Sequence, residues 1–352
     1  MLFILLSLIY MSSLNSCLNS LNNNELDGIT YDSISHLLWT KYENPFGKIN
    51  DVAYIDTNKM FIAGAPDIIF FNGQSFNVLE KSKFHKESYV VAMSNQYNVY
   101  FGSSVYDQFN IEKGLMFYWT GYSLISFEIP KDNTGKIIDI FKDKNFPFDV
   151  WVNTEKINLI YKFQDNFFKE YYIDEGYEGG FTFKDSSERI ITVKFNRNIP
   201  IPKYKIYKYD VATDNFLSLL EGSLENSKIS NIGKDLILQK EDHVFIFKNN
   251  SWVYSTNTAL ALNQSEYLNL LNSDGIYGKI LFTYQKFLPN GMYNYISKKW
   301  HYENRLNSII ADRNFIIGEG IKYKGTSVLF YHNYSSTNKS AIYIGKFPNI
   351  NN

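Results

Sequence analysis

Cysteine is almost absent from this chain. Cys17 is the only one among 352 residues, so an internal disulfide is excluded. An excess of charge of either sign is absent too, because 35 Lys and Arg residues against 36 Asp and Glu residues leave a net charge of −1. A protein that neutralises a nucleic-acid backbone needs a basic surplus. We therefore do not expect this protein to bind nucleic acid.

The short motifs of common enzymes and metal sites are also missing. The five histidines form neither a His-x-x-x-His nor a His-Glu-x-x-His pattern, and no second cysteine is available for zinc. The chain has no Gly-x-Ser-x-Gly elbow and no phosphate-binding Gly-x-x-x-x-Gly-Lys loop. Two segments rich in Asp and Asn lack the spacing of a calcium loop and are explained by turn chemistry. The sequence therefore predicts no metal, no cofactor and no recognisable catalytic residue.

Aromatic side chains, in contrast, are abundant, with 28 Tyr and 28 Phe. They recur in a weak unit of about 40–50 residues, in which an aromatic strand leads into a polar turn and a short strand with Trp or Phe. The clearest copies lie at residues 68–76, 115–123, 206–216, 244–252 and 293–300. Such repeats are typical of β-propellers, whose sheets stack radially. We predict an all-β fold, a single propeller of seven four-stranded blades, with six or eight as alternatives.

The last blade leaves one question of topology open. We expect its first three strands at residues 308–311, 315–318 and 328–331, and two segments compete to be the outermost strand. One is residues 37–42, which carry Trp39 where other units have Trp or Phe, and the other is residues 341–347. An N-terminal strand in the last blade leaves no open edge on the ring. We therefore predict that residues 37–42 close the ring and that residues 341–347 form an added or alternative strand.

The N-terminus has the features of an export signal. Residues 2–10 form an apolar run, shorter than the roughly 20 residues that span a bilayer and suited to a signal peptide. The segment Leu14-Asn15-Ser16-Cys17 resembles the lipobox of bacterial lipoproteins, which implies cleavage before Cys17 and lipid attachment to its thiol. We predict a signal peptide at 1–16, a flexible tether at 17–30 and a propeller at 31–352. The expected location is the bacterial cell envelope, lipid-anchored and extracytoplasmic, or secreted if Cys17 is not lipidated.

One part of the repeat resembles a known family. Residues 52–64, followed by 68–73, read as an apolar strand, an Asp/Asn turn, an aromatic strand that ends in Gly, and a third strand. This pattern resembles the propeller repeats of bacterial two-component regulators. The resemblance implies an extracytoplasmic sensing or binding domain, here without a kinase module.

Propeller geometry indicates where a ligand is expected. With strands lettered A to D from the innermost outwards, the B–C connections share one face with the connections between blades. Long B–C connections are predicted in four blades, and most of them carry aromatic residues. The candidate ligand-binding residues are Tyr106, Phe109, Phe287 and Tyr323. We therefore predict a binding or scaffold module for a protein or glycan partner, without catalysis. The alternatives are a propeller-fold glycoside hydrolase or lyase with its site in the central channel, and a structural subunit of an envelope assembly.

Overall fold

The computed structural model is built from β-strands throughout the residues that it describes. These are residues 38–346 apart from 57, 66, 81–86, 144–148, 233, 241–242, 258–279, 284–290, 295–298, 303–315, 325–326 and 335–338. They form 27 strands, β1 to β27. Within these ranges no helix has the length and apolarity needed to cross a membrane.

The first five sheets each contain four consecutive strands, paired antiparallel in chain order. The first contains β2 (Lys48–Asp56), β3 (Lys59–Ala65), β4 (Ile68–Phe71) and β5 (Phe76–Glu80); the second contains β6 (Ser88–Asn95), β7 (Asn98–Tyr106), β8 (Glu112–Trp119) and β9 (Leu124–Glu128). The third contains β10 (Ile137–Lys142), β11 (Val150–Thr154), β12 (Leu159–Gln164) and β13 (Phe167–Tyr172); the fourth contains β14 (Glu178–Lys184), β15 (Ile190–Asn196), β16 (Lys203–Asp210) and β17 (Asn215–Ser223). The fifth contains β18 (Ser227–Ile232), β19 (Asp235–Lys240), β20 (His243–Lys248) and β21 (Ser251–Asn257).

The last two sheets differ from this pattern. In the described ranges the sixth sheet has three strands, β22 (Ile280–Thr283), β23 (Gly291–Asn294) and β24 (Lys299–Tyr302). The seventh has the order β25 (Ile316–Lys324), β26 (Ser327–Tyr334), β27 (Ser340–Lys346) and β1 (Leu38–Asn44). The N-terminal strand is thus the outermost strand of the last blade, and the predicted closure of the ring is confirmed.

The other predictions for the last blade need correction. Residues 315–318 and 328–331, expected in its second and third strands, lie largely in the first and second, β25 and β26. Residues 341–347, expected as an added or alternative strand, coincide with the third strand, β27. The predicted first strand at residues 308–311 lies outside the described residues.

Burial along the strands explains why the sheets stack as blades. The second strand of a blade is buried on both faces; all five residues of β11 are buried, for example. The fourth strand alternates between exposed and partly buried residues, as in β13. A sheet whose inner strands are apolar on both faces needs a partner on each side.

The hydrophobic cores accordingly lie between neighbouring sheets. Five such cores follow one another from the seventh sheet to the fifth. They include Ile62 and Leu329 (first and seventh sheets), Phe61 and Phe101 (first and second), Met116 and Val152 (second and third), Trp151 and Tyr207 (third and fourth), and Ile206 and Leu236 (fourth and fifth). Together with the sheet order, this succession is that of a β-propeller.

Side chains on the closing strand fix it to the last blade. Trp39 lies over Gly345, where an added Cβ would come within 3.0 Å of the indole ring. Asn44 is fully buried, and its Nδ2 donates to the Gly47 carbonyl at 3.1 Å and to Ser340 Oγ at 2.9 Å. Buried amides that lack such partners cost about 1–3 kcal/mol, so these bonds favour the observed register.

Aspartates on innermost strands connect some blades directly. Asp51 in β2 accepts a hydrogen bond from the Val91 backbone N–H of the next blade at 2.9 Å. Asp139 in β10 accepts the equivalent bond from Thr182 N–H at 2.8 Å. Each aspartate follows a β-bulge in its own strand. A bulge re-aims side chains, and here it accompanies a carboxylate that reaches the neighbouring sheet.

Two buried ionisable side chains, Asp139 and Lys194, lie at the junction of the third and fourth blades. The Asp139 residue keeps part of its surface accessible, but its carboxylate is buried and also accepts a bond from Asn153 Nδ2 at 2.9 Å. Burial raises the pKa of Asp139 to about 7. Lys194 is fully buried and donates to the Leu159 carbonyl at 2.8 Å, and burial lowers its pKa to about 7.

The two faces of the propeller differ in their connections. Because the pairing is antiparallel, B–C connections and connections between blades lie at one end of each sheet, which we call the B–C face. The A–B and C–D turns lie at the opposite end, which we call the A–B face.

We predict that Asp139→Asn removes a pH dependence of stability. The unfolded carboxyl has a pKa of about 3.9, so the folded state holds the proton more tightly, and raising the pH from 5 to 7 lowers the free energy of unfolding by about 1–2 kcal/mol. Asparagine keeps an acceptor for both N–H groups and does not ionise. Urea unfolding at the two pH values measures the difference, with Asp165→Asn in an exposed turn as the control. Equal pH slopes in the native chain and Asp139→Asn would contradict the prediction.

Candidate functional site

The loop between β7 and β8, residues 107–111, is ordered by its own hydrogen bonds. Oδ1 of Asp107 accepts bonds from the backbone N–H groups of Phe109 and Ile111, both at 2.8 Å. The Asp107 N–H in turn donates to the Ile111 carbonyl at 3.1 Å, and Asn110 takes a left-handed conformation with φ of 61°. Asp and Asn favour such turns because their short side chains bond to the nearby backbone. The loop therefore has a defined shape before any partner binds.

This loop presents apolar side chains to solvent on the B–C face. Phe109 is 73% exposed and Tyr106, at the end of β7, is 54% exposed. Ile111 is also exposed. An exposed aromatic group on an ordered loop can bury a large apolar area at little entropic cost when a partner covers it.

A charged pair, which we call the charged base, lies next to Tyr106. The Glu112 carboxylate accepts a bond from Lys156 Nζ of the third blade at 3.1 Å, and further bonds from the hydroxyl groups of Ser104 and Tyr106. Partial burial alone would raise the pKa of Glu112, but these hydrogen bonds outweigh burial and the pKa is lowered. The negative charge of Glu112 raises the pKa of Tyr106. Glu112 is therefore a carboxylate at neutral pH and holds Tyr106 in place.

A second charged side chain, Lys136, lies near the charged base, just before the innermost strand β10. Lys136 Nζ lies 4.6 Å from the centre of the Tyr89 ring, within the range of a cation–π contact. The same ammonium lies 3.7 Å from the Glu155 carboxylate. Tyr89 hydrogen-bonds Ser104, and burial raises its pKa. The polar groups of the second and third blades thus form one connected surface, which we call the aromatic patch: Tyr89, Tyr106, Phe109, Ile111, Glu112, Lys136 and Lys156.

The structure brings two of the four predicted ligand-binding residues together. Phe109 lies in the B–C connection of the second blade, as predicted, and Tyr106 is the last residue of the strand before it, β7. Phe287 lies outside the described residues. Tyr323 belongs to β25, an innermost strand, next to the turn into β26, so its position on a B–C connection was predicted wrongly. It lies towards the A–B face, away from Tyr106.

Sequence reasoning missed the polar half of the patch. Glu112 and Lys156 are 44 positions apart and belong to different blades. No local pattern indicates such a pair, because it forms only when two sheets are stacked. Of these two residues, only Glu112 could have been suspected from the sequence, because it directly follows the aromatic loop.

Elsewhere in the described structure, a groove and the lack of a metal-binding cluster bear on ligand binding. A groove of about 600 Å³ lies on the A–B face between the third and fourth blades. Of its carboxylates, Asp149 is paired with Lys162 at 2.9 Å, and Asp143 with Lys184 at 2.9 Å. In the described ranges, no three His, Cys, Asp or Glu side chains converge as they would around a metal ion.

Comparisons with known proteins show the fold and not the family. No model of a protein family matches the chain, and no curated protein matches it. The resemblance to two-component-regulator repeats therefore has no support from family comparison. Among solved structures, YCF48 bound to D1 peptide covers 93% of this chain and 100% of its own, with a TM-score of 0.59 and 11% identity.

Two further structures have similar values. BBS1N in complex with ARL6DN covers 90% of this chain and 99% of its own, with a TM-score of 0.57 and 12% identity. A chain of the mitotic checkpoint complex covers 90% and 93%, with a TM-score of 0.56 and 8% identity. These are β-propeller proteins. At such low identity the likeness establishes only that this chain has the same fold.

We predict that Asp107→Ala loosens the loop and that Asp107→Asn does not. Alanine removes the acceptor of two backbone N–H groups, whereas the asparagine carbonyl oxygen replaces it. Hydrogen exchange at the Phe109 and Ile111 amides should accelerate roughly tenfold, equal to about 1.4 kcal/mol of local stability. Amide exchange measured by NMR or mass spectrometry tests this, with the β11 amides as internal reference. Unchanged exchange in Asp107→Ala would show that the side chain does not order the loop.

Proposed function

We propose that this protein is a lipid-anchored, extracytoplasmic β-propeller that binds a partner protein through its aromatic patch and does not itself catalyse a reaction. The ordered loop that exposes Phe109 is the observation that carries the proposal. Aromatic side chains that enter a partner's pocket contribute much of the binding energy in protein interfaces. A loop already fixed by Asp107 avoids most of the ordering cost of binding.

The composition of the patch favours a protein over a glycan. Phe109 and Ile111 are purely apolar and exposed, and Glu112, which is paired with Lys156, directly follows Ile111 in the chain. An apolar centre with polar surroundings is the usual arrangement of protein–protein interfaces. The similar structures YCF48 and BBS1N were solved with a D1 peptide and with ARL6DN, so this fold supports protein recognition in those two cases.

Two carboxylates on the innermost strands do not favour the alternative of an enzyme in the central channel. Asp51 and Asp139 each accept a backbone N–H bond from the next blade. Asp139 also accepts a hydrogen bond from the Asn153 side-chain amide. These contacts give both side chains a role in holding the blades together.

We predict that disruption of the patch abolishes partner capture. The native chain should co-purify with a stoichiometric partner from detergent-solubilised membranes, and Phe109→Ser combined with Ile111→Ser should reduce the yield at least about tenfold, since hot-spot truncations cost about 2 kcal/mol or more. The matched control is Tyr122→Ser, because Tyr122 is also an exposed aromatic residue but lies on the opposite, A–B face. Equal loss in the control, or no loss in the double variant, contradicts the assignment of the patch. If the chain captures no protein but binds glycans on an array, the partner is a glycan and the proposed protein partner is wrong.

We predict that Cys17→Ala releases the protein from the membrane fraction. Without the thiol no thioether-linked lipid can form, and two or three acyl chains at about 0.8 kcal/mol per buried CH₂ are what hold a lipoprotein on a bilayer. Fractionation with carbonate-washed membranes measures this, and Ser20→Ala is the control because it alters a neighbouring small residue. Membrane association that persists in Cys17→Ala would remove the lipid anchor from the proposal.

A further inference from the structure

Three successive blades expose an apolar side chain in or next to the same turn. In each case the residue lies at the turn between the third and fourth strands, on the A–B face. Tyr122 is 91% exposed in the second blade, Phe167 is 77% exposed in the third and Val211 is 80% exposed in the fourth. The corresponding turns of the first and fifth blades, residues 72–75 and 249–250, contain Asn, Gly, Gln and Ser only. Phe76, which follows the first of these turns as Phe167 follows its own, is partly buried against the core. Among the turns between third and fourth strands that the structure describes, exposed apolar tips thus occur in the second, third and fourth blades.

The turns that carry these tips are well ordered. Thr120 N–H donates to the Ser123 carbonyl at 3.1 Å, and Gly121 has a φ of 96° and packs on the ring of Tyr97. Before Phe167, Asp165 and Asn166 both have positive φ values, 51° and 67°, as in a type I′ hairpin turn.

The turn that carries Val211 is closed by hydrogen bonds. Asp210 Oδ2 accepts bonds from the backbone N–H and hydroxyl of Thr213 at 3.3 and 2.7 Å. The three side chains thus project from turns with a fixed shape.

The chain enters the propeller on this same face. Leu38, the first residue of β1, pairs with Lys346 at the end of β27. A third strand begins at the B–C face and ends at the A–B face, so Leu38 lies on the A–B side, and its side chain is exposed. The described structure therefore begins on the side that carries Tyr122, Phe167 and Val211.

We infer that the A–B face of the second to fourth blades lies against a lipid surface, with Tyr122 and Phe167 in the interfacial layer. This inference rests on the proposed lipid anchor, because the anchor would bring this face to the bilayer. Aromatic side chains prefer the membrane–water interface, where ring and polar groups are both accommodated. The side chains at these tips carry no charge, and the nearby Lys169 is paired with Asp214. The contact therefore does not need anionic lipid.

The distance to the anchor is compatible with this contact. Leu38 is 21 residues after Cys17, and a chain of that length spans at most about 70–75 Å. A site held this close to a surface has an effective concentration in the millimolar range. Weak insertion of two or three side chains is then enough to orient the propeller.

A dye that senses its surroundings tests the orientation. Tyr122→Cys and Phe109→Cys are prepared in the full chain, once with native Cys17 and once with Cys17→Ser, and are labelled with an NBD thiol reagent. The chains with native Cys17 are reconstituted into phosphatidylcholine vesicles, and the Cys17→Ser chains are mixed with the same vesicles. We expect the dye at position 122 to gain at least about twofold in emission, and the dye at position 109, on the opposite face, to remain unchanged.

The outcomes separate this inference from the anchor proposal. With native Cys17, one dye per chain shows that Cys17 is blocked and two dyes show that it is free, so the labelling stoichiometry tests the anchor alone. An equal response at both positions, no response at 122, or a response only at 109 overturns the orientation. A response at 122 that requires an added protein fraction also overturns it, because the occupant would then be a protein.

A second variant tests the energetics. Tyr122→Ser with Phe167→Ser in the Cys17→Ser chain should raise the half-saturating lipid concentration roughly fivefold or more, with little change between low and high salt. Phe109→Ser with Ile111→Ser is the matched control and should leave it unchanged. Both double variants alter exposed turns or loops. Unfolding curves are recorded for each to check that it is folded. Equal lipid affinity in the two double variants contradicts the inference.

Discussion

The dominant constraint on this molecule is that each sheet must bury both of its faces, and only neighbouring sheets are available to do so. The second strands are apolar on both sides, and the cores lie between blades rather than within them. A row of such sheets would leave two apolar faces uncovered at its ends. Closure into a ring removes both, and the last blade achieves it with the first strand of the chain, β1, paired to β27. The aspartate and asparagine bonds between blades, such as Asn333 to both backbone groups of Ile49 at 2.7 Å, then fix the spacing of the sheets.

Closure by the N-terminal strand also gives the ring two unequal faces. An outermost strand runs from the A–B face to the B–C face, so the chain has to enter on the A–B side. The loop that presents Phe109 lies on the other side, because every B–C connection does. A partner at the aromatic patch therefore approaches from the side opposite the proposed anchor. This division follows from antiparallel pairing alone, and it depends on no particular side chain.

The strands of the first five sheets were predictable because each keeps its aromatic or apolar residues in register with polar turns; the repeats at residues 115–123 and 244–252 fall on β8–β9 and β20–β21. The last blade was misread because β25 contains a bulge between Ile316 and Glu319, which breaks the alternation that marks a strand. Tyr323 was consequently placed in a connection. The Glu112–Lys156 pair could not be predicted at all, because its two residues meet only after two blades have stacked.

The separation of the two faces bears on how the protein acts. The order of the Phe109 loop comes from Asp107 and from Glu112 beneath it. The order of the Tyr122 turn comes from Thr120 and the ring of Tyr97. The two sets of bonds share no residue, although both lie in the second blade. A conformational signal needs an element with two arrangements that both sites bias, and the strands between them are buried and fully paired. The proposed partner binding and the proposed lipid contact are therefore expected to be energetically independent, as the proposed role of a scaffold requires and that of a receptor that transmits a change of shape does not.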